Sequence, residues 1–313
     1  MPALIAHHLF GEEAARLLPE DMLACEEETV AFLLGNQGSD PLYLRFRALP
    51  QINAHVHQLA LRMHGTHALD ALLSSRESVR HLHEGDRRTA RAFVLGLLGH
   101  YLLDSRTHPF VYAQENALCD MGVGLRDAHH EVHALIEGDI DSWLLWSMRG
   151  RTTAEIPSES YLASTAHIER IAGTLLSQVA FEVYGLSIDA RQYGASVRDY
   201  RTAYRLLEPA GSPTQRALAS LERLVRPHSM ACALAHMPSA SDTCAAANLE
   251  HHVWHDPSTN EPSTASFADL FQDALAEWPD LCGAFVRGDL KALQDLVGSR
   301  NYDGVPTEGG RAV

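Results

Sequence analysis

No stretch of the chain approaches ~20 uninterrupted apolar residues, so the sequence offers no transmembrane helix. The five cysteines, Cys25, Cys119, Cys232, Cys244 and Cys282, include no C-x-x-C pair. A thiolate zinc site therefore has little support, and this odd, dispersed set reads as reduced thiols of a cytoplasmic protein. Residues Met1 to His8 carry neither a basic stretch nor a long apolar core, so no secretory signal is expected. Positive charge is scarce: 25 Lys and Arg against 40 Asp and Glu give a formal charge of −15. Broad nucleic-acid binding needs phosphate neutralisation by basic side chains, so no stable nucleic-acid partner is expected. A nuclease whose metal ions supply the positive charge stays compatible with this balance. The chain also lacks internal repeats, low-complexity linkers and alternating β-branched runs that would mark strands.

What is present is helical. Of 313 residues, 46% are hydrophobic, enough for a sizeable core. A short amphipathic run over Glu12–Leu18 precedes Pro19-Glu20-Asp21, which can open a helix through Leu34. Gly35 to Pro41 reads as a loop, and Pro41 biases Asp40 away from the α region, so that its carboxylate can point into a cleft. Helices are then expected over Ile52–Leu73, Arg87–Leu103, Asp127–Trp146, Ser160–Tyr184, Gly194–Leu207, Pro213–His236, Phe267–Trp278 and Leu281–Val297. Pro238–Ser266 reads as a polar loop. The simplest architecture is one all-α domain over 1–313. It divides into a metal-binding half at 1–150, a helical completion at 151–298 and a flexible tail at 299–313.

The chemistry concentrates in Gly99 to Pro109. His100, Asp104 and His108 recur at steps of four, which places them on one helical face. His133 and Glu137 repeat the step. Nineteen histidines run from His7 to His255, far more than any site uses. His100, Asp104, His108, His133 and Glu137, with a loop aspartate upstream, can hold two or three metal ions, zinc first and manganese or iron as alternatives. Each has a plainer role open to it: His108 as a helix C-terminal cap, Asp40 in an Asx turn, His64 on a helix surface. His7 and His8 compete for one role. His129 and His130 read as supporting or surface residues, with Glu131, Asp139 and Asp141 as acceptors for ligand histidines. The cluster at His251, His252, His255 and Asp256 lies in a polar loop.

These residues resemble the zinc-dependent phospholipase C family, whose superfamily includes the S1/P1 nucleases. The resemblance is carried by Met1-Pro2-Ala3, His7-His8-Leu9-Phe10-Gly11, Gly35 to Pro41, Arg62-Met63-His64, His100 to Pro109 and His129 to Asp141. It is weaker at Asn248 to His251 and Trp254 to Pro257. It implies an all-α phospholipase C/P1 nuclease-like fold with three zinc ions: one on Asp40, His64, His100 and Asp104, a second on His108, His133 and Glu137, a third on His7 and the other oxygen of Asp104. Asp40 would also act catalytically, orienting or deprotonating water. The implied activity is hydrolysis of a phospholipid or other small phosphodiester. A nuclease, another phosphoesterase, and a non-catalytic metal-binding protein of the same fold are the alternatives.

The sequence departs from the family pattern in four places. The secreted enzymes complete the third site with an exposed amino terminus; here Pro2 would take that part. Asp104 to His108 is a shorter step, accepted because Pro109 should end the helix. Asp40 to His64 is longer, which leaves His55, His57 and His67 as competing ligands. Pro41 follows Asp40 where the family has an aromatic, with Tyr43 the nearest, so choline specificity does not carry over.

Overall fold

The computed structural model describes residues 4–298 and 300–307. Among the described residues, twelve α-helices make up the architecture, and the two-stranded ribbon Trp254–His255 with Pro262–Ser263 is the one sheet. The protein is all-α. None of its described helices is long and apolar enough to cross a membrane.

The central element is α5, Arg87–Met121. Residues 92–105 are buried on every face, as a helix apolar all round must be. Around it pack α2 (Glu26–Gly35), α4 (Ala68–Ser78), α6 (His129–Arg149), α7 (Ala166–Glu182) and α11 (Phe267–Arg287). The α2 contact is unusually close. A Cβ on Gly96 would lie 2.0 Å from the Phe32 carbonyl oxygen, and one on Gly35 would lie 2.2 Å from that of Phe93. Two glycines therefore let the end of α2, and the Asp40 loop after it, sit directly against α5. One hydrophobic cluster runs from Leu4 to Tyr302 and draws on all these helices.

Several expected boundaries move. The first helix, α1, spans Leu4–Arg16 rather than starting at Glu12. Pro19 to Asp21 form a turn, and α2 starts at Glu26 with three glutamates in its first turn, where the helix dipole favours acids. Asp40 opens a 3-10 turn, Asp40–Leu44, rather than an extended loop. Ile52–Leu73 is two helices, α3 (Pro50–Gly65) and α4, because His67 adopts a left-handed φ of 55°. Pro213–His236 also divides, into α9 (Pro213–Glu222) and a single turn, α10, at Met230–Ala233. The second helix after residue 150, α8, covers Arg191–Leu207, and α12 covers Leu290–Val297.

Pro109, expected to end a helix, lies inside α5, and Pro279, between the expected helices Phe267–Trp278 and Leu281–Val297, lies inside α11, which runs on to Arg287. An interior proline costs roughly 3 kcal/mol. Burial of Phe110 at 0% and Val111 at 2% exposure offsets it at about 1.5–3 kcal/mol each.

The segment after α12 is not a loose tail where it is described. Tyr302 is fully buried, its N–H donates to the His64 carbonyl at 3.1 Å, and Arg300 bridges to Pro306. The aromatic ring against the core is what fixes a stretch that looks flexible from its glycines. Residues 308–313 of that expected tail, and the Pro2 amine, lie outside the described residues.

Candidate metal centre

All eight predicted residues converge. Among the described residues, the groups of His, Cys, Asp and Glu close enough to hold a metal ion are His7/His100/Asp104, Asp40/His64/His100 and His108/His133/Glu137. They contain His7, Asp40, His64, His100, Asp104, His108, His133 and Glu137 and nothing else. His55, His57 and His67 are exposed and stay outside, as does the His251–Asp256 cluster. His8 turns away and packs on Tyr161 at 4.6 Å.

Five elements deliver the set. Because α5 continues past Pro109, His100, Asp104 and His108 form one stripe along it. His133 and Glu137 face that stripe from α6. His64 comes from the last turn of α3, and Asp40 from the turn that Gly38 folds over His100. Gly38 has a φ of 56°, and a Cβ there would meet the His100 ring at 2.0 Å, so only glycine fits. His7 comes from α1, whose first turn is held by Asp141: its carboxylate accepts the Ile5 and Ala6 N–H groups at 2.8 and 2.7 Å. Asp141 lies one turn beyond Glu137 on α6, so one helix fixes both sides of the cluster.

The separations suit a shared cation. Four ligands around a tetrahedral zinc ion lie about 3.3 Å apart. Here His64 Nε2 lies 3.1 Å from Asp40 Oδ1, His100 Nε2 3.3 Å from Asp104 Oδ2, and His133 Nε2 3.2 Å from Glu137 Oε1. His108 Nε2 is 3.5 Å from Glu137 Oε1 and 3.7 Å from Asp104 Oδ1.

The protons suit it too. His64 directs Nδ1 to the Ala60 carbonyl at 2.9 Å, His108 to the Tyr302 carbonyl at 3.0 Å, and His133 to Glu115 at 2.8 Å. Each acceptor fixes the Nδ1–H tautomer and turns an Nε2 lone pair towards a carboxylate. Asp40 Oδ1, His100 Nε2, Asp104 Oδ2, His133 Nε2 and Glu137 Oε2 are buried with no hydrogen-bond partner. Buried polar atoms are rarely left so. Five orphans converging in one cluster are what a bound ion would satisfy, and the donor set fits divalent metals.

Electrostatics point the same way. Burial opposes the charged form of His108, but Asp104 and Glu137 outweigh it and push its pKa up to about 10. Burial likewise opposes charge on His64 and His133, yet Asp40 for the first, and Glu137 with Glu115 for the second, raise both. His100 is the exception, lowered by its complete burial to about 4. Burial would raise the carboxyls of Asp40, Asp104 and Glu137, but the neighbouring imidazoles hold all three below their usual range. Without a metal ion, protons on the histidines balance these carboxylates.

Two supporting residues escaped the sequence reading. Glu115, rather than Glu131, Asp139 or Asp141, accepts from His133, and it also accepts from His129 at 2.6 Å. It sits seven residues after His108 on the same face of α5, a signal hidden by the assumption that Pro109 ends the helix. Tyr302 packs on the His64 and His100 rings at 5.1 and 5.5 Å. Glu131 instead pairs with Arg226.

Comparison with protein-family models, curated proteins and solved structures finds no match.

Proposed function

We propose that the protein is a metal-dependent phosphodiester hydrolase, phospholipase C-like, acting on a phospholipid or another small phosphodiester. One observation carries the reading. Asp40/His64/His100 and His108/His133/Glu137 are each a two-histidine, one-carboxylate set flanking Asp104. That donor type is used by catalytic zinc, which keeps a position open, whereas cysteine-rich closed sets serve structural zinc. Divalent ions held there supply Lewis acidity, acidifying water and taking up charge that develops on a phosphoryl oxygen. Asp40 orients the attacking water and takes its proton, its carboxyl being held ionised beside His100 and His64. Asp104 joins the two groups. The three carboxylates leave a net positive centre once two divalent ions are counted, which favours an anionic substrate despite the acidic surface.

The likeness to the phospholipase C and S1/P1 nuclease superfamily supports this reading through the quoted motifs alone. The near-complete burial of all eight residues favours a second reading, a metal-binding protein that uses the ions for stability.

Zinc-, manganese- and iron-loaded protein is to be assayed on bis-p-nitrophenyl phosphate, phosphatidylcholine and single-stranded nucleic acid. The expected result is turnover that disappears with chelator and returns with metal. Loaded protein inert on all three supports the stability role instead.

A further inference from the structure

His7 and His100 approach each other through the same atom type: their Nδ1 nitrogens are 3.1 Å apart in a buried hydrogen bond. That bond holds one proton, so one imidazole donates and the other accepts. A neutral imidazole has a single N–H. If His7 were the donor, His100 would carry its proton on Nε2. His7, its single proton spent on Nδ1, would then turn an Nε2 lone pair on the Asp104 Oδ1 carboxylate oxygen 2.9 Å away, two acceptors with no proton between them. With His100 as donor, every group finds a role. His100 gives Nδ1–H to His7 and keeps the Nε2 lone pair facing Asp40 and Asp104. His7, accepting at Nδ1, must carry its own proton on Nε2, which lies 2.9 Å from Asp104 Oδ1.

We infer that His7 is a positioning residue rather than a metal ligand. It links Asp104 to His100 in a carboxylate–imidazole–imidazole chain that fixes the tautomer of His100 and the orientation of Asp104. The inference rests on the reading that the cluster binds metal, and it changes the count. With His7 protonated on Nε2, the His7/His100/Asp104 group would hold no ion of its own, and the centre would take two ions, one on Asp40, His64 and His100 and one on His108, His133 and Glu137, with Asp104 between the two groups. The anchoring of α1 by Asp141 then serves to place this chain.

Three measurements on the full chain test it. Zinc titration of the wild type should saturate at two equivalents, and His7→Ala should still take two with affinity lower by about 10–100-fold, the usual cost of losing a residue that orients a ligand. His7→Gln carries an acceptor and a donor on one planar group, so it should restore most of that affinity. Nitrogen-15 spectra of histidine-labelled, zinc-loaded protein should show His7 protonated at Nε2 and His100 at Nδ1; this readout needs no variant to fold. A third equivalent in the wild type, lost in both His7→Ala and His7→Gln, or His7 protonated at Nδ1, overturns the assignment of His7 while leaving the metal centre intact. A wild type that binds no zinc overturns the underlying reading and this one with it.

Discussion

Replacing Glu115 by glutamine should weaken one metal group and spare the other. Glu115 is buried at 5% exposure and accepts from His133 Nδ1 at 2.8 Å and His129 Nδ1 at 2.6 Å. Burial pushes its carboxyl up, but His133 and His129 hold it below the usual range, so both bonds are charge-assisted. Glutamine keeps one acceptor oxygen and presents an NH2 to the other imidazole N–H. His129, half exposed, can turn to water, so the oxygen goes to buried His133. A charge-assisted bond of about 1.5–3 kcal/mol then becomes a neutral one of about 0.5–1.5 kcal/mol. His133 also becomes a less basic ligand, and loss of such an acceptor typically costs 10–100-fold in metal affinity, about 1.4–2.7 kcal/mol. Competition with a chromophoric chelator should show this loss for the group built on His108, His133 and Glu137 alone. His129→Ala should change little. Wild-type affinity in Glu115→Gln, or equal weakening of both groups, would refute the reasoning.

Other outcomes follow from the same geometry. His108 is raised to about 10 by Asp104 and Glu137 against its burial, so near pH 7.5 zinc must displace at least one proton, and affinity falls as pH drops; calorimetry in buffers of different ionisation enthalpy should detect the release, and zero protons would be inconsistent with this electrostatic picture. His236 lies between Asp141 at 3.0 Å and Glu208 at 2.7 Å, and against its burial these carboxylates raise it to about 9. Its folded pKa exceeds the unfolded value, so its contribution is complete below about pH 6.5 and fades as pH rises through 9. The size is on the order of 2 kcal/mol, less than the His236 shift alone implies because burial also raises the Asp141 carboxyl. Denaturant unfolding of His236→Gln should lack that decline; an unchanged pH profile would remove His236 from the account. Tyr302→Phe should be neutral or slightly stabilising, since the Tyr302 hydroxyl is buried without a partner, whereas Tyr302→Ala should cost about 3–5 kcal/mol. A large loss in Tyr302→Phe would mean the hydroxyl has a role that this packing does not supply.

The candidate site was largely legible because its spacing is local. Steps of four along α5 and α6 place His100, Asp104, His108, His133 and Glu137 on faces before any tertiary contact is known. The all-α class followed from periodicity. What stayed hidden depends on contacts distant in sequence. Pro109 reads as a stop because an isolated helix would break there; only burial of the residues around it keeps α5 intact as far as Glu115. Tyr302 meets His64 from 238 positions away, and nothing in a Gly-rich terminal stretch announces that packing. The choice of His64 over His55, His57 and His67 depends on which face of α3 turns inward, and the left-handed His67 that separates α3 from α4 shows in no local pattern.

Elemental analysis of purified protein, stripped with chelator and reloaded, tests the central claim most directly. The account predicts two equivalents of divalent metal in the wild type and fewer than one in Asp104→Asn, because Asp104 faces His7, His64, His100 and His108 together. A wild type holding less than one equivalent, or Asp104→Asn retaining both, would contradict it.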